Sequence, residues 1–185
     1  MKKMLALLLA LLMALNLCAA VAEEIEEIEK ITIPYDDVLE FEMLFPDGYD
    51  FDTEFYENVL ILSIESADAA KPLFTMTVAP DEEYSELDRL NDLSDADYES
   101  YVQSLLQDYA SPTWETFTTS YGSKTVFIND DNTESDVAVL VGIYLGYSMA
   151  LYIEYADGRE VDAQAIETAV QIYSDMDFVF AQDAE

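Results

Sequence analysis

The sequence predicts an α+β fold in which a mostly antiparallel sheet of about six or seven strands is flanked by two main helices. Two observations support this prediction. Segments of strand length occur in two runs, one of three segments and one of four. Each run is followed by a segment whose apolar residues recur at three- and four-residue steps, as on one face of a helix. Runs of neighbouring strands interrupted by helices are typical of α+β proteins.

The first run of strands begins at residues 39–45 (LEFEMLF), where apolar and acidic residues alternate as far as Met43. This alternation predicts a strand with one face in water. Residues 46–48 (PDG) then predict a turn, since glycine tolerates positive φ. Two further strands are predicted at 59–64 (VLILSI) and 73–79 (LFTMTVA).

Two helices are predicted from their N-caps and apolar stripes. Ser94 is the predicted N-cap of the first helix, with Asp97 at the third helical position, and Asp162 is the N-cap of the second. The stripe of the first helix is Tyr98, Tyr101, Val102, Leu105, Leu106 and Tyr109, and that of the second is Ile166, Ala169, Val170 and Tyr173. Phe178 and Phe180 lie just beyond the second helix.

The second run of strands follows Pro112, which ends the first helical region. Its predicted strands are 114–120 (WETFTTS), 124–128 (KTVFI), 137–145 (VAVLVGIYL) and 147–155 (YSMALYIEY). Gly146 separates the last two, which predicts an antiparallel pair. Both are apolar at nearly every position, so we expect central strands that are covered on both faces.

Residues 1–22 have the pattern of a cleavable signal peptide. Lys2 and Lys3 form a basic start, an apolar stretch follows, and small residues stand at Ala20 and Ala22. Cleavage after Ala22 leaves 163 of the 185 residues, a normal length for one domain. The sequence therefore predicts a secreted, extracytoplasmic protein.

Two other interpretations of residues 1–22 have less support. Lipoprotein processing before Cys18 is disfavoured by the bulky residue that precedes it, and an uncleaved anchor over residues 4–22 is disfavoured by the small residues near its end. After cleavage we expect an acidic tether at 23–37, a single domain at 38–181 and a tail at 182–185.

The charge and composition exclude several kinds of partner and chemistry. Loss of Lys2 and Lys3 takes the net charge from −33 to −35, which repels nucleic acid and anionic membrane surfaces. The chain has no histidine, and its single cysteine, Cys18, leaves with the signal peptide. Serine–histidine triads, cysteine–histidine nucleophiles and His/Cys metal sites are therefore excluded, and we expect no cofactor.

The acidic residues leave two chemical alternatives open. One is a hydrolase that uses paired carboxylates alone, as glycosidases do. The other is weak calcium binding at Asp130, Asn132 and Glu134, or at Asp50, Asp52 and Glu54, which have the alternating spacing of a calcium loop. Neither group has the turn glycine of such a loop, since Ser135 and Phe55 stand there. Solvated acidic loops are the preferred interpretation.

The tyrosines provide the candidate partner-binding residues. Those on the first helical stripe are expected in the core, and Tyr144 and Tyr152 are expected to pack against a second layer. Tyr49, Tyr56 and Tyr84 fall in predicted loops, and aromatic residues concentrate at binding surfaces. The sequence thus favours a non-catalytic binding or accessory protein whose partner is an unidentified protein or extracellular ligand.

The order of the elements, with residues 45–49 (FPDGY) after the first strand and Gly146-Tyr147 before the last, resembles the PsbP-like family. That family includes an extrinsic photosystem subunit and a Ran-binding protein. The resemblance implies an α/β/α sandwich over most of residues 39–180 and a role in binding other proteins rather than in catalysis. It transfers no functional residue, and Tyr49 stands where tryptophan is frequent in the family.

Overall fold

The computed structural model describes residues 30–35, 39–44, 46–119, 122–130 and 137–180. Within these ranges the chain forms ten strands, two α-helices and a short 3₁₀ turn at Leu90–Asp92. The strands are β1 (Lys30–Pro34), β2 (Leu39–Leu44), β3 (Asp50–Tyr56), β4 (Val59–Glu65), β5 (Leu73–Pro80), β6 (Pro112–Thr118), β7 (Lys124–Asp130), β8 (Val137–Tyr144), β9 (Tyr147–Glu154) and β10 (Asp177–Phe180). The helices are α1 (Asp95–Leu106) and α2 (Ala163–Ser174).

Seven of the strands form one antiparallel sheet in the order β3-β4-β5-β9-β8-β7-β6. The other three form a small antiparallel sheet in the order β1-β2-β10. The predicted α+β class, with a seven-stranded antiparallel sheet and two helices, is confirmed. The predicted antiparallel pair around Gly146 is also confirmed, as β8 and β9 in the middle of the large sheet.

The large sheet has a core on each side. On one side, buried residues of β4, β5 and β9 pack with α2 and with Met43 of the small sheet. On the other side, Tyr101 and Val102 of α1 pack with Val126 and Val139 of β7 and β8. The apolar residues of β8 alternate between these two cores, as expected for a strand that is covered on both faces. The buried residues of β9 all lie in the α2-side core and Tyr152 on its other side is exposed, so the expectation of two covered faces is wrong for β9.

Both helices begin at the predicted N-caps. The Ser94 hydroxyl accepts a hydrogen bond from the Asp97 N–H at 3.2 Å, and Asp162 Oδ1 accepts one from the Ala165 N–H at 2.9 Å. The second Asp162 oxygen accepts a hydrogen bond from the Tyr155 hydroxyl at 2.9 Å. Asp162 therefore fixes the start of α2 and ties it to the end of β9.

Three strands differ from the sequence-based expectation. Residues 30–34 were expected in the acidic tether at 23–37, but they form β1 and pair with β2. Residues 50–56 were expected in a loop and form β3, and β10 extends beyond α2. These strands carry no long buried apolar pattern, and β1 and β10 are stabilised by a shared partner, β2, that is distant from β10 in sequence.

The predicted signal peptide, the first part of the tether and the tail at 182–185 lie outside the described residues. Among the described residues, neither helix is long and apolar enough to cross a membrane.

The β8–β9 turn has a conformation that only a few residues adopt readily. Leu145 and Gly146 have φ values of 50° and 79°, as in the tight hairpin turns that match strand twist. The N–H groups of both residues donate to the carbonyls of Asp88 and Leu87 at 2.9 Å. A Cβ at position 146 would collide with the Ser85 carbonyl oxygen. The central hairpin is therefore locked to the loop that precedes α1.

We expect Gly146→Ala to lower the free energy of unfolding by about 2 to 4 kcal/mol, because strain at positive φ adds to the collision with the backbone at Ser85. Gly158→Ala is the matched control, since Gly158 also has positive φ, at 70°, but nothing lies within 4 Å of its added Cβ. Urea unfolding of both variants measures the difference. Equal losses would contradict the role assigned to the close approach.

Asp162 should make the free energy of unfolding decrease as the pH falls into the acid range. Hydrogen bonds, first from the Ala165 N–H and then from the Tyr155 hydroxyl, lower the pKa of Asp162 below its ordinary value of 3.8. A lowered pKa contributes stability above the ordinary pKa, and this contribution is lost as pH falls through the folded-state value. We expect Asp162→Ala to lower the thermal midpoint at pH 7 and the deficit to shrink in acid.

Asp162→Asn is the control, because asparagine is also a good N-cap but does not titrate. This variant should keep most of the neutral-pH stability and lose the acid dependence that Asp162 adds. A deficit of Asp162→Ala that stayed constant down to pH 2 would argue against this account.

Candidate functional site

Among the described residues, no helix or second sheet covers β3, β4 and β5 on the side where α1 packs. On β7 and β8 this side is buried beneath α1. On β3, β4, β5 and β9, side chains on the same side are half-buried or exposed, whereas those of β4, β5 and β9 on the opposite side are buried. We name this surface the open face. Its residues are Asp52, Glu54, Tyr56, Val59, Ile61, Ser63, Thr75, Thr77, Ala79, Ser148, Ala150 and Tyr152, and a row of Asp50, Glu65, Leu73 and Glu154 borders it at one end.

The strand register places acidic side chains at one edge of the open face and small or hydroxyl-bearing side chains in its middle. Cross-strand rows run from Asp52 through Ser63 and Thr75 to Tyr152, and from Glu54 through Ile61 and Thr77 to Ala150. Carboxylates therefore stand along the β3 edge, and methyl and hydroxyl groups fill the middle. With strands about 4.8 Å apart and a rise of about 3.3 Å per residue, the face covers on the order of 400 Å².

The three predicted partner-binding tyrosines lie in different places. Tyr56 is on the open face and is 69% exposed. Tyr49 packs against Phe74, with ring centroids 5.6 Å apart, on the other side of the sheet. Tyr84 packs edge-on against Tyr101 at 5.4 Å. The structure therefore does not bring the three together.

Tyr152 is a surface residue that the sequence assigned to internal packing. It is 37% exposed on the open face, because α1 does not extend over β9. The strand pattern contains no signal for this, since it shows which residues share a face but not where the covering helix ends. Tyr56 and Tyr152 are thus the large aromatic residues of the open face.

Asp130, a predicted calcium ligand, has a structural role. Its side chain is 5% exposed at the end of β7, and its oxygens accept hydrogen bonds from the N–H groups of Ala110 at 3.0 Å and Ser111 at 2.7 Å. These bonds fix the connection between α1 and β6. Asn132 and Glu134, the other members of that predicted group, lie outside the described residues.

The second predicted calcium group is not a loop. Asp50, Asp52 and Glu54 alternate along β3, so their side chains share one face and follow one another at about 6.6 Å, twice the rise per residue. A calcium loop instead folds such residues around one point. Among the described residues, no three His, Cys, Asp or Glu side chains are grouped so that they could hold a metal ion.

We expect Asp130→Asn to lower the free energy of unfolding by about 1 to 3 kcal/mol, because the new amide NH₂ would face a buried N–H in place of an acceptor. Asp52→Asn, on an exposed edge, is the control and should change stability little. Chemical denaturation with calcium chloride and with a chelator measures both effects. A loss for Asp130→Asn that appeared only in calcium would restore the calcium-site interpretation.

Comparison with known proteins adds no family to this description. No family model matches the sequence, and no curated protein matches it. The function proposed for the open face therefore rests on its own geometry and chemistry.

Proposed function

We propose that this protein is exported and acts as a non-catalytic binding or accessory protein whose open face docks on a basic surface of another protein. The observation that carries the proposal is the uncovered half of the large sheet. Four adjacent strands there present a partly apolar surface. Export is supported by the signal-peptide pattern of residues 1–22.

The composition of the open face suits a protein interface. Such interfaces have an apolar centre and a polar rim, and tyrosine is enriched in them. Val59, Ile61 and the methyl groups of the β5 threonines form the centre, with Tyr56 and Tyr152 as exposed aromatic residues. Strands also hold these side chains in place, so little conformational entropy is lost on docking.

The charge of the face determines the charge of its partner. Asp52 and Glu54 form its edge, and the described part of the chain adds few cations to oppose them. A second copy of the chain would bring these carboxylates against their counterparts. A basic partner gains from the same field, which accelerates association and is screened by salt.

For the fold, we propose a PsbP-like α/β/α sandwich. The proposal is supported by the order of strands and helices and by the presence of one helix on each side of the large sheet. A binding role is also what that resemblance implies.

The chemical alternatives have less support. A glycosidase needs a carboxylic acid whose pKa is raised beside an ionised partner. The pKa of Asp162 is instead lowered by its hydrogen bonds. Calcium binding at Asp130 would compete with the hydrogen bonds that its oxygens already accept from the N–H groups of Ala110 and Ser111.

Site-specific crosslinking tests the proposed docking surface. A photoreactive amino acid is placed at Thr77, in the middle of the open face, and at Gln103, on the exposed surface of α1, in two otherwise identical proteins. After incubation with the native extracellular fraction, we expect the Thr77 protein to crosslink one basic partner. The Gln103 protein should not crosslink it.

Charge substitutions then test the same surface with the captured partner. Thr75→Lys should abolish binding, whereas Gln103→Lys adds the same charge to α1 and should leave binding intact. Raising salt should weaken binding by the wild type. Crosslinking from both positions, or equal effects of the two lysines, would overturn the proposal.

A further inference from the structure

A concave surface lies on the α2 side of the large sheet, away from the open face. We name it the end cleft. The β2–β3 turn, the β4–β5 loop, the β9–α2 loop and the N-terminal half of α2 border an open cleft of about 260 Å³ there. Its polar lining includes Lys71, Tyr155, Arg159, Asp162, Gln164 and Thr168. The volume is close to the roughly 300 Å³ at the lower end of small-molecule sites.

The end cleft concentrates positive charge in a very acidic protein. Seven Lys and Arg residues oppose forty Asp and Glu in the whole chain, yet two of the seven line this one cleft. Lys71 Nζ lies 5.0 Å from the centroid of the Tyr49 ring, and Arg159 Cζ lies 3.8 Å from that of Tyr155. The tyrosine rings therefore hold both cations at the wall of the cleft.

Both cations have N–H donors beyond those used in their contacts with backbone carbonyls. Lys71 Nζ donates to the Asp47 carbonyl oxygen at 3.1 Å, and the Arg159 guanidinium donates to the Ala70 carbonyl oxygen. An ammonium group has three donors and a guanidinium has five. The two contacts with carbonyl oxygens connect the β2–β3 turn, the β4–β5 loop and the β9–α2 loop. They use only some of the N–H donors of the two cations.

Two acids, Asp157 and Asp162, lie close to Arg159. Within the described ranges no carboxylate forms an ion pair with Lys71, and Arg159 pairs with an exposed Asp157 at 3.8 Å. The Asp162 oxygens already accept hydrogen bonds from Ala165 and Tyr155. Asp157 and Asp162 therefore offset part of the charge of Arg159, whereas no ion pair offsets that of Lys71 within the described ranges. An anionic group in the cleft would meet both cations.

We propose that the end cleft binds a small organic ligand through a carboxylate or phosphate group held between Lys71 and Arg159. The uncharged part of the ligand lies against Tyr49 and Pro72, which supply the apolar part of the wall. This site is separate from the open face, so the chain would bind a small anion and a protein on opposite sides of one sheet.

Titration of the mature protein with sodium acetate and, separately, with sodium phosphate tests the proposal by NMR. We expect one of these anions to shift the Arg159 Nε–H and Gln164 side-chain amide signals in a saturable way at millimolar concentration. Acetate distinguishes a carboxylate site from a phosphate site. Absence of saturable shifts with both anions would overturn the proposal.

Three substitutions locate the binding. Lys71→Gln and Arg159→Gln should each weaken binding by about tenfold or more, the loss expected when a charged hydrogen-bond partner is removed. Lys124→Gln is the control, because Lys124 also lies over a tyrosine, Tyr98, at 4.7 Å but outside the cleft. An equal loss in the control would show a general charge effect and overturn the assignment.

Arg159→Lys is a control that distinguishes loss of binding from loss of folding, because it retains the positive charge at position 159. Thermal unfolding should be cooperative for this variant, and binding should be weakened less than in Arg159→Gln. Unchanged binding in both Lys71→Gln and Arg159→Gln would exclude the end cleft as the site.

Discussion

The structure depends on covering two faces of a sheet that is wider than its helices. Seven strands at about 4.8 Å spacing span roughly 30 Å, whereas an α-helix with its side chains is about 10 to 12 Å across. On one face, α2 and the small sheet together bury the apolar residues of β4, β5 and β9. On the other, α1 covers mainly β7 and β8. Because α1 is the one α-helix on that side among the described residues, it leaves part of this wide sheet uncovered, and this part is the open face.

The strands and helices that bury apolar residues could be predicted from the sequence, because burial leaves a periodic pattern. This holds for β4, β5, β8, β9 and both helices. The strand β3 (DFDTEFY) is the contrasting case, since nearly all of its side chains are exposed and no buried stripe marks it. β1 and β10 depend on pairing with β2 from opposite ends of the chain, and no local sequence pattern specifies such a contact.

The sites were less predictable than the fold, for a related reason. Tyr56 could be proposed as an exposed aromatic, but Tyr152 could not, because the sequence of β9 does not reveal where α1 ends above it. Lys71 and Arg159 are 88 positions apart and meet only because two loops lie at the same end of the sheet. Clusters formed from distant loops require the tertiary structure, whereas periodicity within one element does not.

The acidic residues of β3 affect two properties of this edge of the large sheet, namely its tendency to pair with another strand and the charge of the partner that we propose. An edge strand exposes backbone groups that could pair with another chain, and charged side chains oppose such pairing. The Thr53 N–H donates to the Asp52 carboxylate at 2.9 Å, so one backbone donor is already occupied. Antiparallel pairing of two β3 strands centred on Thr53 would place Asp52 opposite Glu54 of the other copy, and like charges in that position are destabilising. The same two carboxylates border the open face, so charges that oppose pairing of two β3 edges would also attract the basic partner that we propose.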